Sequence, residues 1–195
     1  MNSVLSRLLA LGLTLWLTGC NLTTDRPLFS AEDAADVKLE SGYYADGTKV
    51  AYIQVFGGKT VVNTQNDSRV PYQALAVDLG EGIYLLQYGK INEAARTYVL
   101  FRYDADGLGI STAVYDCNKD AAFFRNFGIS IKVGPGECRM SGATKERLVR
   151  AQRALAKALP EDNWRRSYRA TAYDEGARTF ESYDSFPGRS PSRVQ

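Results

Sequence analysis

Paired carboxylates are the acid–base chemistry left to a chain of 195 residues that contains no histidine. Without imidazole, Ser-His-Asp and Cys-His arrangements are excluded, and any zinc site would need cysteine and carboxylate alone. Two carboxyls flanking a bond could still cleave a glycoside. Asp46, Asp67, Asp78, Glu81, Asp104, Asp106 and Asp116, however, stand mostly in turns or near helix starts, where aspartate serves the turn itself. No pair lies within an apolar run that would raise a pKa toward neutrality. A carboxylate-dependent hydrolase is therefore the weakest reading, and the chain is expected not to be an enzyme. Asp104-Ala105-Asp106-Gly107-Leu108-Gly109 starts like a calcium loop, but Leu108 replaces a ligand oxygen and Tyr115 the closing carboxylate. An Asp- and Gly-rich hairpin explains the same residues, so neither a metal nor a cofactor is expected.

The N-terminus points to an address. Arg7 precedes the apolar run Leu8 to Leu17, which is too short for a stable membrane span. The run ends at Leu17-Thr18-Gly19-Cys20, which resembles a bacterial lipobox. The resemblance implies cleavage before Cys20, acylation of that cysteine and retention on a membrane, with buried methylenes contributing about 0.8 kcal/mol each. By the same resemblance Asn21, where an Asp would favour the inner membrane, implies the inner leaflet of the outer membrane, facing the periplasm. With Cys20 lipidated, Cys117 and Cys138 remain, and an even pair in an oxidising compartment is expected as a disulfide. The loop of about 20 residues that it closes would contribute roughly 3 kcal/mol on chain-entropy estimates.

Basic charge gathers late in the chain. Arg139 to Arg169 holds nine Lys/Arg against Glu146, Glu161 and Asp162. At about 100° per residue, Arg150, Arg153 and Lys157 share a helix stripe opposite Leu148, Leu155 and Leu159. Such a stripe suits an anionic lipid surface or an envelope protein, while a docked helix requires a polar outer face in any case. Nucleic acid is not an expected partner for a lipid-tethered periplasmic chain.

The elements that would position these groups are mostly strands. Ser30 and Asp33 are spaced as a capping box for a short helix start. Val50–Phe56, Thr60–Thr64, Gln73–Val77, Ile83–Tyr88, Thr97–Tyr103 and Ile110–Tyr115 are rich in β-branched and aromatic residues and are separated by turn residues. Tyr43, Tyr44, Tyr52, Tyr72, Tyr84, Tyr88, Tyr98, Tyr103 and Tyr115 lie on or beside them, as sheet packing or as the lining of a ligand cavity. Asn118 is placed to cap a helix through Phe124, followed by a strand at Ile129–Val133. The best helix runs over about Ala143 to Leu159, with Leu148, Ala151, Gln152, Leu155 and Leu159 on one face, and Pro160 ends it. Trp164 to Tyr173 adds a final strand.

These elements predict an α+β fold: an antiparallel β meander, closed as a barrel or folded as a half-open roll, then a short helix, a strand and a C-terminal amphipathic helix. The expected divisions are a signal peptide at 1–19, a tether at 20–27, one periplasmic domain at 28–184 and an unstructured tail at 185–195. A meander followed by a helix resembles the lipocalin layout at fold level, with Gly42-Tyr43-Tyr44 where that family has Gly-x-Trp. Tether, disulfide and β-rich domain are also similar to small membrane-bound lysozyme inhibitors, which share Ser41-Gly42-Tyr43. The function expected is that of a non-catalytic envelope lipoprotein binding another envelope protein or an anionic surface; the alternative is a lipocalin-like carrier of a small hydrophobic ligand.

Overall fold

A computed structural model describes residues 21–36, 41–46, 49–65, 70–103, 109–169, 171–172, 180–184 and 192–194. The leader with Cys20 and the loop 104–108, which includes the calcium-like Asp104 and Asp106, lie outside the described residues. The fold is α+β, mostly sheet with two α-helices among the described residues. Strands β2 (Gly42–Asp46), β3 (Lys49–Phe56), β4 (Thr60–Gln65), β5 (Tyr72–Gly80), β6 (Ile83–Lys90), β7 (Arg96–Tyr103) and β8 (Gly109–Ala113) pair in chain order as an antiparallel meander. The β-branched and aromatic runs thus form strands where the pattern predicts them.

The sheet is mixed rather than purely antiparallel, because a strand absent from the sequence reading is built into it. Residues expected to be a tether form β1 (Asn21–Thr24), which pairs antiparallel with β7 and parallel with β10 (Glu137–Ser141). β10 in turn pairs with β9 (Ser130–Gly134). Leu22 supplies the apolar side chain that justifies the insertion, being fully buried. β7 therefore carries two neighbours along one edge, β1 opposite Arg96 to Tyr98 and β8 opposite Phe101 to Tyr103.

After the meander, β11 (Trp164–Arg169) pairs with β8, and β12 (Thr171–Ala172) pairs with β2. The ladder is not closed, since β2 and β8 do not pair with each other; it runs from β12 through the meander to β11, then β13 (Phe180–Asp184) and β14 (Ser192–Val194). Ser192–Val194 falls within the stretch expected to be unstructured, yet it pairs with β13. The two prolines of that stretch, Pro187 and Pro191, precede the paired residues, so no ladder donor is lost there.

One row of register partners crosses much of the sheet: Phe56, Thr60, Leu75, Gln87, Tyr98, Leu22, Cys138 and Val133. Its middle is buried and its two ends, Phe56 and Val133, are exposed. Because side chains alternate across a strand, Leu75, Val77, Leu79, Leu85, Tyr98, Leu100, Leu22 and Met140 face one way, into the main core. Two helices supply the other side of that core: α1 (Cys117–Arg125) through Phe124, and α2 (Lys145–Ala158) through Leu148, Ala151 and Leu155.

The helix ends follow local chemistry. α2 starts at Thr144, whose hydroxyl accepts the Arg147 N–H at 3.3 Å. The α1 cap is Asp116 rather than Asn118: its carboxylate accepts the Asn118 and Lys119 N–H groups, and Asp120 accepts the Asp116 N–H at 2.8 Å. The Ser30–Asp33 spacing does produce reciprocal bonding, the Ser30 N–H donating to Asp33 Oδ2 at 3.0 Å, but over a single 3-10 turn, Ala31–Asp33. Cys117 and Cys138 are bonded, joining the start of α1 to β10.

Candidate functional site

The face of the sheet away from the helices is polar where β1, β7 and β10 meet. Here Tyr88, Thr97, Thr23 and Arg139 are consecutive register partners, a row of hydroxyls ending in a guanidinium. A cleft of about 380 Å³ opens over this row, bordered also by Tyr72, Lys90, Glu93, Arg96 and Glu137. Three cations and three carboxylates line it, counting Asp25, and two ion pairs join four of them: Arg139 to Asp25 at 2.6 Å and Lys90 to Glu93 at 2.8 Å. Burial pushes the Tyr88 phenol above its ordinary pKa, opposed by its hydrogen bond with Thr97. The Thr23 hydroxyl is buried and without a hydrogen-bond partner.

The β6–β7 turn forms one wall, and a missing side chain shapes it. A Cβ on Gly89 would stand 2.7 Å from the Ala95 carbonyl oxygen and 3.1 Å from Arg96 Cδ. Glycine alone lets the turn fold back so that Arg96 Nη1 donates to the carbonyls of Glu93 and Ala95. Arg96 is thus committed to its own loop, while Lys90 and Arg139 face the cleft as exposed ion pairs with Glu93 and Asp25, beside the tyrosines. Mixed charge with phenols and hydroxyls suits recognition of a polar or zwitterionic group.

The opposite wall depends on how the N-terminal segment is held. Gln87 is buried on the core face, and its Oε1 accepts the N–H groups of Leu28 (2.9 Å) and Phe29 (3.0 Å) and the Tyr98 hydroxyl (2.9 Å). Its Nε2 donates back to the Phe29 carbonyl at 2.9 Å. This clamp fixes the chain leaving β1, and with it Thr23 and Asp25.

The basic stripe predicted on the long helix is present but only partly free. Arg153 Nε donates to the Leu79 carbonyl at 2.8 Å, where the β5–β6 register shifts between Asp78 and Gly80. Lys157 lies 3.3 Å from Glu81 in the same turn. Arg153 therefore docks α2 on the sheet, Lys157 adds an exposed ion pair to the same turn, and Arg150 stays exposed. Asp116 and Asp120, two carboxylates near enough to repel each other, are spent on capping α1. Burial pushes the Asp120 carboxyl up, whereas backbone hydrogen bonding from Lys119 holds Asp116 down.

Nothing in the sequence pattern marked the cleft, because its walls come from three distant parts of the chain. The glycine inside β6, next to Tyr88, was the local signal available. Among the described residues no group of histidine, cysteine and acidic side chains is placed to hold a metal ion, and no helix is long and apolar enough to cross a membrane. Comparison of the chain with protein-family models, with curated proteins and with solved structures gives no match.

Proposed function

We propose that this chain is a lipid-anchored, non-catalytic protein of the bacterial envelope that binds an envelope partner at the cleft beside β1. The observation that carries the reading is the Cys117–Cys138 bond. It accounts for two of three cysteines and suits an oxidising compartment, which leaves Cys20 of the lipobox-like motif for acylation. Partner binding at the cleft draws support from its exposed ion pairs and from the commitment of Arg153 to the Leu79 carbonyl. Palmitate labelling should mark the wild-type chain and not Cys20→Ser; equal incorporation refutes the anchor. Arg139→Glu should abolish co-purification of an envelope partner while Arg150→Glu leaves it intact, and the reverse result returns binding to the helix stripe.

A second reading, a lipocalin-like carrier of a small hydrophobic ligand, draws on the helix-free face farther from the cleft. Ala76 and Phe101 are buried there although they lie outside the helix-side core, and Phe101 stacks on Tyr84 with ring centroids 5.4 Å apart. Pairing of β11 with β8 and of β12 with β2 favours a half-open roll around this face. Native mass spectrometry of the purified protein should then find a lipid-sized adduct, and a bare mass would end the carrier reading.

A further inference from the structure

We propose that the anchor has no slack, so that acylated Cys20 seats the Pro135–Gly136 turn of the β9–β10 hairpin in the headgroup layer of the bilayer. This rests on the lipid-anchor reading above. β1 is paired from its first residue: Asn21 registers with Glu137, and its N–H donates to the Gly136 carbonyl at 3.5 Å. Each strand residue rises about 3.3 Å and adjacent strands lie about 4.8 Å apart, which keeps the Gly136–Glu137 end of the hairpin within roughly 8 Å of the point where Cys20 joins Asn21, while Val133 is level with Leu22, two strands away. The polar layer on each side of a hydrocarbon core is about 5–8 Å thick. With its acyl chains in that core, Cys20 holds the turn at headgroup depth.

The turn's composition fits this position. Pro135 followed by Gly136 at φ +73° makes a tight corner, and no charge occurs from Val133 to Gly136. Exposed Pro135 and Gly136 precede Glu137, the partner of Asn21, and so extend past the start of β1 toward the anchor. Peeling of β1 to create a longer tether is opposed by the burial of Leu22 and by the Gln87 clamp on Leu28 and Phe29. The cleft's Lys90–Arg96 wall lies at the Thr24 end of β1, so the cleft stands on the side of the domain away from the anchor.

The test uses full-length lipidated protein in vesicles of phosphatidylethanolamine and phosphatidylglycerol with bromine-labelled acyl chains, in a Trp164→Phe background. Pro135→Trp should lose emission several-fold in these vesicles, and Ile91→Trp, exposed in the β6–β7 turn at the Thr24 end of β1, should keep it. A flexible Gly/Ser insertion of about ten residues between Cys20 and Asn21 should restore the Pro135→Trp emission. Glu137→Trp replaces Pro135→Trp should that variant fold poorly. Undiminished emission from an acylated protein overturns the seating while sparing the anchor. A chain whose mass shows no acyl groups overturns the anchor reading and the seating together.

Discussion

Two buried glutamines, Gln87 under the N-terminal segment and Gln152 on the inner face of α2, solve the same problem to different degrees. Gln87 uses both ends of its amide: three donors converge on its oxygen, and its nitrogen reaches the Phe29 carbonyl. Gln152 accepts from the Tyr115 hydroxyl at 3.0 Å, while its Nε2 is buried without a partner. Tyr115 also accepts the Leu100 N–H at 3.1 Å, and burial pushes its phenol far above its ordinary pKa. A satisfied buried amide specifies its surroundings, whereas one with an orphan donor gives back part of what its other bond contributes. The difference teaches that the molecule fastens its N-terminal strand more completely than its long helix.

Gln87→Leu should give the largest effect, because the Phe29 N–H and carbonyl and the Tyr98 hydroxyl proton lose their partner in a buried setting while the Leu28 N–H keeps the Tyr98 oxygen at 3.1 Å; about 2–4 kcal/mol is expected from chemical unfolding, scaled from 1–3 kcal/mol per orphaned group. A loss below about 0.5 kcal/mol, the level of a neutral surface change, would erase the contrast. Gln152→Leu should cost about 1 kcal/mol or less, since it removes an unsatisfied donor as it deprives the Tyr115 proton of its acceptor. The smallest effect falls on the link between the regions, the ion pair of Asp33 with Lys145. That pair, with the Ser30 N–H, holds the Asp33 carboxyl below its ordinary pKa. Its stabilisation is therefore complete above the unfolded value of about 4 and is lost as pH falls through the folded value. Asp33→Asn should lower stability slightly at neutral pH and flatten the acid limb of the stability curve; an unchanged limb would show that the pair links nothing.

The sequence made some of this legible and concealed the rest for physical reasons. The α2 face of Leu148, Ala151, Gln152 and Leu155 repeats within one element, so periodicity alone reveals it. The β5–β7 runs likewise announce themselves by composition. β1 does not, since Asn21-Leu22-Thr23-Thr24 has one apolar residue and owes its extended form to backbone groups offered by β7 and β10. Asp116 and Asn118 are both good capping residues, and only the helix start at Cys117 decides between them. The α2 stripe was visible, but its docking depends on the register shift beside Leu79, which no pattern of charges encodes. The cleft needs Tyr88, Thr23 and Arg139 in one row, a product of non-local pairing.

The placement of β1 also has a mechanical consequence. A pull on Asn21 from the N-terminal side runs along the strand axis, while its ladder bonds to β7 and β10 lie across that axis. The load is then shared by both ladders in shear instead of opening them one bond at a time, as it would at a frayed edge. The disulfide through Cys138 passes part of that load from β10 to α1. On the proposed anchor, a pull on the tethered end should therefore extract the acyl chains from the bilayer before it unravels the domain.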